Sequence, residues 1–193
     1  DDPEALLDGR VAYIEIATLC STKSHSRKDG WDEGASAHAM GSDVADGWRE
    51  HRSDGGIVMD VNSDEIVCTG LSMPHSPRWH DGKLWLLNSG TGEFGYVDLN
   101  TGRFESLCFC PGYMRGLSFH GNFALVGLSK PRHNKTFSGL ALDANLKSRN
   151  AEARCGVQVI DLRTGDVVHW LRMDGVVEEL YDVVALPQVR RPM

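Results

Sequence analysis

Three times along the chain an apolar, β-prone run ends in aspartate, turns on a short polar stretch and returns as a second β-prone run. GIVMDV turns at Asn62-Ser63-Asp64 into EIVCTGL, FGYVDL at Asn100-Thr101-Gly102 into RFESLCF, and GVQVIDL at Arg163-Thr164-Gly165 into DVVHWLRM. Each reads as a β-hairpin, because Asn, Asp, Thr and Gly supply the backbone angles a tight turn needs. A second phrase recurs between them. WHDGKLW (Trp79–Trp85) aligns with FHGNFAL (Phe119–Leu125), setting His80 and His120 about forty residues apart, and Asp8-Gly9-Arg10-Val11 opens in the same manner.

A period near forty with four strands per unit is how propeller blades look in sequence, each blade a small antiparallel sheet. The spacing predicts an all-β fold of antiparallel four-stranded blades in one domain, with units at about 9–80, 82–119 and 121–186. LYDVVALP (Leu180–Pro187) begins a fourth, and polar insertions fall at 20–55 and 130–154. Closed propellers have roughly four to eight blades. The expectation is therefore a partial, about three-blade β-propeller, completed by an N-terminal part beyond this sequence or by oligomerisation, two copies making six. Open ends would otherwise leave strand edges unpaired.

The interval Cys20–Gly55 is rich in Ser, Asp, Gly and His, and so long a polar stretch suggests a lid, a binding loop or disorder. Within it ASAHAMGSDVADGWREH (35–51) could turn into a short helix, weakened by Gly41 and Gly47. A net charge of −7 argues against nucleic acid or an anionic membrane surface as partner. No apolar run approaches the ~20 residues of a membrane span, and DDPEALLDGR has no secretory pattern, so a cytoplasmic location is expected. Five scattered cysteines give no disulfide framework, and Cys108/Cys110 are at most half a metal site.

Several phrases together carry a resemblance: GLSMPHSPRW (Gly70–Trp79), LWLLNSGTGEFGYVD (Leu84–Asp98), PGYMRGLSF (Pro111–Phe119), ALVGLSKPR (Ala124–Arg132), CGVQVIDLRTG (Cys155–Gly165) and VEELYDVVALP (Val177–Pro187). Over roughly the C-terminal two-thirds the chain resembles an uncharacterised bacterial family of predicted β-propeller proteins, sometimes fused to tetratricopeptide repeats. More distantly, SPRWHDGKLWLLNSGTGEFGYVDLNTG is similar to blades of the gluconolactonase and strictosidine-synthase-like six-bladed propellers. There a Glu-Gly-Pro-x-Trp phrase starts a blade, and its Glu holds a metal in the central channel. The corresponding position here is His75, so that resemblance does not carry the metal with it.

Superposing the repeats aligns His75 with Arg115, and a comparable position near the end falls at Tyr181 or Asp182. Residues opening each innermost strand converge on a propeller's axis, so His75, Arg115 and Asp182 are expected to meet, with Glu178 and Glu179 adding carboxylates. His75 and Asp182 are the candidate catalytic pair, either as acid and base or as ligands of a divalent metal such as calcium or zinc. Ser76, Arg78, Arg115, Arg132 and Glu179 are the candidate substrate-binding residues for a small polar or anionic molecule, and strand alternation is expected to turn Ser76 and Arg78 to one side. The plainer alternative is that Arg115 and Asp182 simply pair in the channel.

Other motifs are set aside. The Gly-Leu-Ser repeats lack a nucleophile elbow, and Gly90-Thr91-Gly92-Glu93-Phe94-Gly95 is followed by a strand, not the helix a dinucleotide site needs. Two function classes follow. One is a small-ligand-binding propeller, with metal-assisted lactone or ester hydrolysis as its catalytic form. The other is a non-catalytic protein-interaction or scaffolding module. Fold alone does not choose between them.

Overall fold

The structure is a computed structural model that describes residues 35–38, 50–60, 63–131 and 139–186. The expected strand Arg10–Leu19 and the candidate Arg132 lie outside the described residues.

Strands β1 (Ala35–His38), β2 (Gly56–Asp60) and β3 (Ile66–Leu71) form an antiparallel sheet. Strands β4 (Pro74–His80), β5 (Lys83–Asn88), β6 (Glu93–Asp98) and β7 (Arg103–Phe109) form a four-stranded meander. Strands β8 (Tyr113–His120), β9 (Phe123–Ser129), β10 (Gly156–Asp161) and β11 (Val167–Arg172) form another, with helix α1 (Ala141–Ser148) inserted between β9 and β10. The first strand of the middle sheet, β4, lies against both β1 and β8. This is the all-β, blade-like arrangement of a partial propeller.

The turns explain the recurrent aspartate. Asp60, Asp98 and Asp161 each accept a hydrogen bond from a backbone N–H two or three residues on, at 3.3, 2.9 and 2.9 Å. Each carboxylate satisfies a donor that the turn leaves out of the ladder. At Asp81-Gly82 both residues have positive φ (48° and 72°), the type I′ geometry whose twist matches the strands it joins.

Three local expectations are revised. Ala35–His38 is a strand paired to β2, not the start of a helix; it gains a ladder partner that four residues of sequence do not reveal. The sheets are phased one strand earlier than units begun at Gly82 and Gly121. β4 pairs with β5, and β8 with β9, across those very turns, since a tandem repeat has no privileged starting point. The 130–154 insertion contains α1, which seats Leu142 and Leu146 against Met73 and Tyr113.

The core lies between the sheets. In β5, Leu84 and Leu86 pack toward the first sheet with Val58, Cys68 and Leu71, while Trp85 and Leu87 pack toward the third with Met114, Leu117, Val126 and Ile160. A strand covered on both faces reads as a continuous apolar run, which is what KLWLLN is. His80 adds a polar tie between sheets: its ring stacks on Phe119 at 4.2 Å, and its Nε2 donates to the Gly121 carbonyl at 2.9 Å. Among the described residues no helix is long and apolar enough to cross a membrane.

Burying a leucine completely contributes about 1.5–3 kcal/mol, and a cavity adds to the loss on truncation. Leu87→Ala is expected to cost about 2–5 kcal/mol in urea unfolding. Ile66→Ala, at a side chain 56 % exposed, should stay within about 0.5 kcal/mol of wild type.

Candidate functional site

Both inner strands carry the same irregularity. The register shifts between His75 and Arg78 in β4, and between Met114 and Leu117 in β8. In each bulge one residue is left-handed, Ser76 (φ 48°) and Gly116 (φ 82°). The Gly116 N–H donates to Ser76 Oγ at 3.1 Å, tying one bulge to the next. On its other side Gly116 lies against Asp182-Val183, so close that a Cβ would come within 2.4 Å of the Val183 nitrogen. Only glycine fits both the angle and the space.

Two serines set the spacing between neighbouring inner segments. Ser89 Oγ accepts from the Met114 N–H (2.8 Å) and donates to the Met114 carbonyl (2.9 Å). Ser129 Oγ makes the same pair with Leu180, at 2.9 and 3.4 Å. Ala185 N–H adds a bond to Ser118 Oγ at 3.0 Å, so residues 180–185 run beside β8 much as β8 runs beside β4, although without forming a ladder. The serine pairing equates Leu180 with Met114. Tyr181 therefore occupies the position of Arg115 and His75, and Asp182 falls one residue past it.

A pocket of about 40 Å³ opens where these segments meet, lined among others by His75, Tyr113, Arg115, Lys130 and Glu179. His75 is half-buried as a residue, yet its Nδ1 is fully removed from solvent and has no hydrogen-bond partner among the described residues. Burial, aided by the Arg115 charge, holds the imidazole down at about 3, so it is neutral at physiological pH. The Arg115 guanidinium stacks over the Tyr181 ring at 4.5 Å. Burial and the nearby Asp143 push the Tyr113 phenol up, against the opposing Arg52 charge, and keep it protonated.

Of the residues singled out from sequence, His75, Arg115 and Glu179 are brought together. Asp182 is not: it is exposed, and its carboxylate accepts from the Val183 N–H at 2.8 Å. Ser76 is buried with its hydroxyl engaged by Gly116, and Arg78 donates to the Pro77 carbonyl at 3.0 Å; neither lines the pocket. Strand alternation had put Ser76 and Arg78 on one side, and the bulge breaks that alternation. Tyr113 was missed as a site residue, although it stands two positions before Arg115 on the strand that the repeat alignment had already marked.

The calcium or zinc site expected of His75 and Asp182 is not assembled by the described residues, since Asp182 lies away from the pocket. Among the described residues no three His, Cys, Asp or Glu side chains gather to hold a metal. Arg115 also places a positive charge beside His75.

These features define the class: stacked antiparallel sheets with a small pocket, apolar walls bearing a few charged groups, at the junction of their inner strands. Residues 27–193 match the family described as a domain of unknown function (DUF4915), and the chain belongs to that family. No curated protein matches it. Among solved structures it is similar to the computationally designed Ika4 protein, with a TM-score of 0.41, 15 % identity and 68 % of each chain covered.

The buried neutral histidine has a pH consequence. Its folded value lies below the ordinary 6.5. Between that value and about 3 the unfolded chain binds a proton that the folded chain does not, so stability falls as pH falls through this window. Urea midpoints measured from pH 7 to 4 should decline, and His75→Asn should flatten the slope.

Proposed function

We propose that this protein is a propeller-like module that binds a small polar, anionic molecule at the axial pocket. The observation that carries the reading is His75, a lining residue of the pocket beside Arg115 and Lys130, whose buried Nδ1 has no hydrogen-bond partner among the described residues. A buried polar atom without a partner costs stability, and a ligand that supplies one recovers that loss on binding. Two cations against the single carboxylate of Glu179 leave the lining net positive, which suits a carboxylate or similar group.

Binding is favoured over hydrolysis for two reasons. An imidazole held near 3 is a weak general base at neutral pH. A pocket of about 40 Å³ accepts one small functional group and not a whole lactone. Equilibrium titration with a panel of small carboxylic and hydroxy acids tests the reading. At least one should bind saturably, and His75→Ala or Arg115→Ala should weaken it about tenfold or more. Binding unchanged in both variants would overturn the reading.

A second reading, association with another copy, rests on a different surface. Strand β11 is exposed along its whole length, with Trp170 66 % and Leu171 57 % accessible. The preceding sheets bury their faces against one another through the clusters around Leu84 and Leu86 on one side of β5 and Trp85 and Leu87 on the other. A sheet from a second copy would continue the same packing. Light scattering should report a dimer or larger particle, and Trp170→Lys should shift it toward monomer while leaving the fold intact.

A further inference from the structure

We infer that a second cleft, between the end of α1 and the neighbouring end of the third sheet, binds a small molecule through a phosphate or carboxylate group. The cleft has a volume of about 410 Å³, inside the range of roughly 300–1,000 Å³ that small-molecule sites occupy. Its charged lining is Lys130, Lys147, Arg154 and Arg172 against Glu152 and Asp174. Asp174 is already engaged, its carboxylate 2.8 Å from Arg172 Nε. That leaves Lys130, Lys147 and Arg154 facing the space with Glu152 as the remaining carboxylate. On a chain of net charge −7 this is a local inversion of sign, and a concave site concentrates its field.

A lysine in the last turn of α1 is what a helix C-terminus favours, so Lys147 alone would signify nothing. The three cations, however, come from three separate segments: the residue after β9, the last turn of α1, and the stretch leading into β10. Like charges repel, and converging them is unfavourable unless something anionic compensates. The concavity and the overall negative charge favour a small molecule over a polyanion such as RNA. Lys130 also lines the axial pocket, so both clefts open at the same end of the third sheet. The inference nevertheless stands without the axial reading.

Isothermal titration of the full chain with inorganic phosphate, and separately with citrate, at ionic strength held constant with chloride, tests this. Saturable binding of either is expected. Phosphate alone would indicate a phosphomonoester group, and citrate alone a multiply carboxylated ligand. Lys147→Glu and Arg154→Glu, both at exposed side chains that leave the core untouched, should each weaken binding about tenfold or more. Their unfolding should stay cooperative, with the Arg154→Glu midpoint at the wild-type value and that of Lys147→Glu slightly lower, because a carboxylate is unfavourable at a helix C-terminus. His75→Ala should leave the affinity unchanged. Absence of saturable binding, wild-type affinity in both charge reversals, or a loss confined to His75→Ala would each overturn the inference.

Discussion

Neighbouring inner segments of this fold approach so closely that their backbone groups need partners which no ladder supplies. Ser89 and Ser129 provide them, each hydroxyl bonding both the N–H and the carbonyl of one residue on the next segment. Buried backbone groups have to be paired, so the Ser89 contact sets the distance and the offset between the second and third sheets, and the Ser129 contact does the same between the third sheet and residues 180–185. The offset in turn decides which side chain stands next to the junction. Arg115 follows Met114 and Tyr181 follows Leu180, and both are delivered to the axis by the same device. Sheet packing and site geometry are therefore a single constraint.

The electrostatics of the pocket follow from that placement. Bringing Arg115 beside a buried His75 keeps the imidazole neutral, which leaves the positive character of the lining to Arg115 and Lys130. On the proposed reading those two side chains supply the charge, while the neutral imidazole contributes a directional hydrogen bond and no charge. An arrangement of this kind favours recognition over proton transfer.

The sequence carried the parts of this structure that local chemistry dictates. Asp60, Asp98 and Asp161 announce their turns because a carboxylate capping a turn N–H needs no distant partner. His75 and Arg115 were paired by the repeat itself, and Glu179 came with them. What stayed hidden depends on contacts between distant segments. Ala35–His38 has little strand character and is held by β2. The bulges at Ser76 and Gly116 need the neighbouring sheet to make sense of them, so alternation misplaced Ser76 and Arg78. Asp182 was taken as the third axial residue because the register of 180–185 is set by Ser129 and Ser118, which no local pattern near Asp182 reveals. Helix α1 did leave a signal, Leu142 and Leu146 one turn apart with Asp143 in the first turn and Lys147 in the last, within a stretch otherwise readable as loop.

The equivalence of His75, Arg115 and Tyr181 bears on how such a pocket can change. One backbone position holds an imidazole, a guanidinium and a phenol, and in the latter two cases it is secured by a serine hydroxyl acting on the residue before it. The anchoring atoms belong to the main chain, so they do not depend on which side chain occupies the axial position. Substitution there alters charge and hydrogen bonding at the junction without disturbing the contacts that hold the sheets apart. Substitution at Ser89, Ser129 or Gly116 does the reverse: it removes a main-chain partner or fills a space that the neighbouring chain already occupies. Pocket lining and scaffold are thus carried by adjacent residues that answer to different constraints, and the pocket's chemistry is free to vary while its walls are not.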